Sequence, residues 1–211
     1  YDIPGATWPI KLSRTVSPDY GIGYMPKPFQ KGVPSIHISA RSENSQSVLA
    51  AAAHGWGVIS ANFVAHRIIA GHWRSMAAGL AAAGHPVDGG KWRAARNFVI
   101  AATDAEAHAR ATGPESATRY YFEYLGSIAK RAGFGGTMTP RADMDPMTAT
   151  TEDMIEACVI AGSPATVLDR LVALREEVGP FGHLLMAGLD WSGINASWEA
   201  ETMQRLAQEV M

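Results

Sequence analysis

Four short apolar runs, each handed on to a helical pattern, limit what this chain can fold into. They are Ser35–Ala40, Gly57–Ser60, Arg93–Ala101 and His183–Ala187. Strands that alternate with helices pair in parallel and are wrapped by those helices, so the reading is α/β with a parallel sheet. The first run is the most informative. It carries β-branched isoleucines, passes through Arg41-Ser-Glu-Asn-Ser45 and enters an Ala-rich helix that ends near His54-Gly55. A strand that meets a helix through Ser and Asn leaves first-turn N–H groups facing whatever lies above the strand, and that favours an anion. The plainer alternative is that Ser42 or Asn44 only caps the helix. The turn lacks the glycines of a dinucleotide-binding loop.

Helical patterns follow over Ala65–Ala83, stopped by Gly84 and Pro86, from Thr103 onward, and over Glu115–Ala132. Another starts at Ser163 as N-cap with Pro164 in first position, and Ser197–Met211 closes the chain. Tyr1–Gly32 reads as an irregular connection with one strand or hairpin arm inside Pro9–Val16, and Pro26–Pro34 as a stiff approach to the first strand. Gly133–Pro146 is too long for a simple connector, which makes it a lid or a disordered insertion.

Of the 211 residues 47% are hydrophobic, enough for a sizeable core, and the net charge of −2 makes no electrostatic case for nucleic acid or an anionic membrane. No apolar run approaches the ~18 residues of a membrane span. The single cysteine, Cys158, excludes an internal disulfide and a thiolate metal cluster, and fits a reducing cytoplasm. It sits in an apolar helical stretch and reads as core. His66 and His72 are six apart, no H-x-x-x-H spacing occurs, and no metal site is expected. The start, Tyr-Asp-Ile-Pro-Gly, has no secretory pattern and no initiator Met, so the chain is expected to be a piece of something longer.

Several markers in order resemble the bacterial luciferase-like flavin monooxygenases, in particular the limonene monooxygenase and luciferase-α branch. They are Pro26-Lys-Pro-Phe-Gln30 leading into Pro34-Ser-Ile-His-Ile-Ser39, the Ser42/Ser45 turn, and Gly55-Trp56 before Val58–Phe63. Trp92–Ala101, Gly162-Ser-Pro-Ala-Thr-Val167 and Phe181-Gly-His-Leu-Leu-Met186 complete the set. The resemblance implies a (β/α)8 TIM barrel of which residues 1–211 are the C-terminal half, strands five to eight, with a lid-like insertion near 133–146. It implies reduced FMN supplied by a separate flavin reductase, O2, a small hydrophobic organic substrate, a homodimer in the intact protein, and an inactive isolated fragment. The alternatives are an F420- or flavin-dependent reductase or dehydrogenase of the same superfamily, or a non-catalytic flavin-binding protein.

Carried over by position, Ser42, Asn44 and Ser45 would hold the FMN phosphate. Arg41 would pair with it, or with Glu43 or a missing neighbour. Ser60, Asn62 and Phe63 would face the flavin or substrate cavity, the plainer reading being that Ser60 and Asn62 cap the next helix. His183 is a candidate for lining the mouth, whereas His37 reads as a packed or rim histidine. Arg93 and Arg96, three apart in one strand, lie on opposite faces, and one of them is expected in a rim salt bridge. Phe134, Met138 and Met144 would close over substrate. The catalytic residues themselves are not identified.

Overall fold

The computed structural model describes residues 2, 3, 10, 11, 19, 31, 32 and 34–211. The chain forms two units, Tyr1–Ser35 and Ile36–Met211. In the first, β1 (Asp2–Ile3) pairs antiparallel with β2 (Ile10–Lys11), so the expected arm is present at Ile10–Lys11. The rest of that arm and the approach over Pro26–Gln30 lie outside the described residues.

The second unit holds a five-stranded parallel sheet: β3 (His37–Ala40), β4 (Gly57–Ser60), β5 (Trp92–Ile100), β6 (Val159–Gly162) and β7 (His183–Met186). Every pairing among them is parallel. Alternate residues of β5 direct their backbone groups to opposite edges. Lys91 O accepts from Val58 N and Ala101 N donates to Gly162 O, whereas Trp92 O and Arg96 O accept from Gly182 N and Ala187 N. So β4 and β6 follow one another along one edge of β5, and β7 takes the other.

The four expected strands are present in the order β3-β4-β5-β7, and β6 is an addition. Its Val-Ile-Ala-Gly follows α5 (Thr151–Cys158) without a break, so the sequence reads as one apolar helical stretch. Strand geometry is imposed by β5, whose Asn97–Ile100 pair with Val159–Gly162.

The helices begin where their caps sit. Ser45 starts α1 (Gln46–Ala53), Thr103 starts α3 (Asp104–Thr112), Ser116 starts α4 (Ala117–Arg131), and a Thr150/Asp153 capping box starts α5. For α6 (Pro164–Val178), Ser163 holds the cap position, but its hydroxyl bonds Thr166 Oγ1 rather than a helix N–H. The closing helix is α7 (Ala196–Arg205), with a π-helical last turn over Leu206–Val210. No helix of the described residues is long and apolar enough to cross a membrane.

The sheet's two faces differ. Ala40, Val58, Ser60, Trp92, Ala94 and Arg96 are buried on the face that meets the helices, where Trp92 stacks on Trp73 of α2 (His66–Ala82) at 5.5 Å. On the opposite face Ser39 and His183 are exposed, and Ile59, Arg93, Ala95 and Leu185 are only half-buried. Parallel sheets are normally covered on both faces.

Candidate active site

The strands' C-terminal ends gather the expected residues unevenly. At the end of β3 the Arg41–Ser45 turn leads into α1, which has no acidic residue in its first turn to offset the positive end of its dipole. Ser42 and Asn44 are exposed there. Ser45 is nearly buried: its Oγ accepts from Val48 N at 3.2 Å and lies 2.9 Å from Ser47 Oγ, so it caps α1. Glu43 pairs with Arg74 at 2.9 Å, not with Arg41. The Arg41 guanidinium instead lies 4.2 Å from the centroid of Phe134, joining the turn to the Gly133–Pro146 segment. The turn rests on α2 at Gly71, where an added Cβ would come within 2.4 Å of the Glu43 carbonyl oxygen.

At the end of β4, Ser60 points to the helix side. Its hydroxyl receives Trp92 Nε1 and lies beside His72 Nδ1, both at 2.9 Å. Burial pushes the His72 pKa down to about 4, against a smaller opposing contribution from the Ser42 backbone. Neither Ser60 nor Asn62 caps α2: its cap residue is Ala65, whose N–H donates to Thr137 O at 2.8 Å. Asn62 Nδ2 donates to Asn97 Oδ1 at 2.8 Å and to Tyr121 Oη at 3.3 Å, while Asn97 Nδ2 donates to Ala187 O at 2.8 Å. This polar knot joins the ends of β4, β5 and β7 with α4. Burial raises the Tyr121 pKa, with the Asn62 bond opposing it. Phe63, half-buried, packs beside the knot's backbone against the core.

Asn97 and Tyr121 escape sequence reasoning. Asn97 carries a faint signal, a polar residue before Phe98-Val-Ile100 on the face of Arg93 by the strand's period of two. Tyr121 carries none, because its partner Asn62 lies 59 residues away.

Other expectations shift. The rim salt bridge is absent among the described residues at both Arg93 and Arg96. Arg96 is fully buried, and its Nη1 donates to the carbonyls of Asn62 at 3.2 Å and Val64 at 3.0 Å. His183 opens β7 opposite Arg93, at the end of the strand away from the Ser42 turn. Within 133–146 a 3-10 turn over Gly135–Met138 is tied down by Arg67, which bonds the carbonyls of Gly136 and Thr139. Met138 is fully buried in the core and cannot cover a substrate, whereas Phe134 and Met144 are half-buried. A cavity of about 410 Å3 lined by Asp104, His108, Glu152 and Arg170 contains none of the expected site residues.

Residues 14–180 match a family described as luciferase-like monooxygenase. The chain is 30% identical over 178 residues to 2,5-diketocamphane 1,2-monooxygenase 2 of Pseudomonas putida, covering 83% of this chain and 48% of that protein. It is 28% identical over 184 residues to 3,6-diketocamphane 1,6-monooxygenase of the same organism, covering 87% and 48%. It thus spans about half the length of the curated relatives it matches. Among solved structures, the oxygenating constituent of 3,6-diketocamphane monooxygenase, a type II Baeyer–Villiger monooxygenase in complex with FMN, superimposes with TM-score 0.76 at 25% identity. That match covers all of this chain and 57% of the other. The coenzyme F420-dependent tetrahydromethanopterin reductase of Methanopyrus kandleri gives 0.54 at 20% identity over 82% and 49%, a likeness of fold alone.

Proposed function

The chain belongs to the luciferase-like monooxygenase family, and from that premise we propose that it is the C-terminal half, strands five to eight, of a (β/α)8 barrel that oxygenates a small hydrophobic compound with reduced FMN and O2. The barrel reading is supported by the order β3-β4-β5-β7 and by the half-exposed face opposite the helices, which four further strands would cover. On this reading the isolated chain is inactive, and the intact protein is a homodimer fed by a separate flavin reductase.

The observation that carries the cofactor is the turn after β3. It sets the exposed Ser42 hydroxyl, the Arg41 side chain and the uncompensated N-terminus of α1 at the C-terminal end of a parallel strand, where (β/α)8 enzymes keep their sites. That donor set fits a phosphate. Ser42, Asn44 and the turn's N–H groups would hold it, with Ser45 keeping the helix end in place. Bound reduced FMN supplies the electrons that activate O2. The chain's own residues do the rest. Half-buried Asn62 and Tyr121, with the buried Asn97 holding Asn62 in place, would offer polar groups at the strand ends to orient substrate, and Phe63 would add an apolar wall. Phe134, beneath the Arg41 guanidinium, would narrow the entrance and keep water out, together with Met144 of the same segment.

The test is binding and turnover by the full-length protein. Reduced FMN should bind, and oxygen should enter a compact cyclic ketone, the first substrate class to try given the diketocamphane monooxygenases among the relatives. Turnover with F420 in place of FMN would favour the reductase, and flavin binding without oxygen incorporation a non-catalytic binder.

A further inference from the structure

We infer that Arg96 and Cys158 form a buried clamp that positions Asn62 and Phe63, an inference that rests on the site proposed above. Four consecutive carbonyls between β4 and α2 are engaged by these two side chains. Arg96 Nη1 donates to Ala61 O at 3.4 Å, Asn62 O at 3.2 Å and Val64 O at 3.0 Å, and Cys158 Sγ donates to Phe63 O at 3.4 Å. Burial pushes the Cys158 thiol up to about 12, so it keeps its proton and acts as a donor, not as a nucleophile.

Arg96 and Asn97 are neighbours on β5 and point to opposite faces. Arg96 holds Asn62 by its carbonyl from the helix side, while Asn97 holds it by its amide nitrogen from the other face. Adjacent residues of one strand thus grip the same asparagine by backbone and by side chain. That leaves the Asn62 amide little freedom except the orientation that reaches Tyr121.

As a stabilising device the arrangement is poor. Burial lowers the Arg96 pKa to about 10, which still leaves it charged at neutral pH. It has no carboxylate partner among the described residues, and Nε and Nη2 are buried without a partner. A buried charge without a counter-ion works against folding. What the guanidinium does accomplish is a fixed course for one short segment, the segment that carries Asn62 and Phe63.

The experiment uses the full-length protein and the variants Arg96→Met, Arg96→Lys, Cys158→Ala and Asn62→Ala, at a temperature at which all are folded. The first readout needs no turnover and is taken at pH 7: the Tyr121 ring 13Cζ chemical shift, assigned by its absence in Tyr121→Phe. Arg96→Met should shift it in the direction and by the amount seen in Asn62→Ala, with Arg96→Lys partway back and Cys158→Ala shifted the same way. The second readout is steady-state oxygenation, where Arg96→Met should raise KM about tenfold, with FMN affinity unchanged and Arg96→Lys restoring part of the loss. Should Arg96→Met fail to fold, Arg96→Lys and Cys158→Ala decide alone. A wild-type Tyr121 shift in every folded Arg96 and Cys158 variant overturns the clamp. Absence of oxygenation by the wild type overturns the functional reading but leaves the Tyr121 comparison standing.

Discussion

The hydroxyl of Ser60 lies 2.9 Å from His72 Nδ1, in the layer between sheet and helix. It is fully buried and also accepts the indole N–H of Trp92. Ser60→Ala orphans two buried polar groups, each costing about 1–3 kcal/mol. Chemical denaturation should register that loss while reduced FMN binds as before. A variant with wild-type stability and weakened flavin binding would return Ser60 to the cavity.

Acid should loosen the fold through two histidines. Burial, with Arg96 and then Arg170 adding to it, lowers His66 to about 3, and burial lowers His72 to about 4. Both are neutral when folded, whereas the unfolded chain protonates them near the ordinary 6.5. The unfolded state therefore binds more protons below that value. The stability is complete above pH 6.5 and falls as pH drops toward 4 and then 3, by up to about tenfold in the folding equilibrium per pH unit and histidine. Denaturant midpoints across this range should decline, and His72→Gln should flatten the decline. A level profile would mean that both rings are hydrated.

Ser42 and Ser45 should separate cleanly. Ser45→Ala removes the α1 cap and costs about 1 kcal/mol of stability. Ser42→Ala should leave stability alone and cost about 1.5–3 kcal/mol of FMN binding, one to two decades in affinity. Flavin titrations of the two variants check this, and unchanged affinity in Ser42→Ala would reduce the turn to a helix cap.

Gly71→Ala tests whether α2 supports the turn. The new methyl would sit 2.4 Å from both Glu43 Cγ and the Glu43 carbonyl oxygen. Overpacking of this kind costs about 1–3 kcal/mol. The strain should push the turn off α2 and weaken FMN binding with Ser42 still in place. Thermal unfolding and flavin binding both at wild-type values would show that turn and helix part freely.

Much of the scaffold was readable in local pattern. Gly57–Ser60 forms a strand over the predicted residues, β3 and β7 lie within theirs, and β5 starts one residue ahead of its expected range at Trp92. Thr103 and Ser163 stand at helix starts as expected, whereas the first helix is capped by Ser45 rather than Ser42 or Asn44. Periodicity and capping act over a few residues, so a few residues reveal them. Alternation within β5 likewise separates Arg93 from Arg96.

Which face is buried, and against what, was decided only by tertiary structure. Val159–Gly162 becomes a strand because β5 offers it an edge, not because its own residues demand one. Ser60 turns from the expected cavity toward His72 because α2 crosses that side of the sheet. Asn62, Asn97 and Tyr121 meet only after β4, β5 and α4 have packed. A strand's period is a local property, but the partner of a polar side chain lies wherever packing brings the next element. The chain's own order therefore specified the frame, and contacts between residues distant in sequence specified the site.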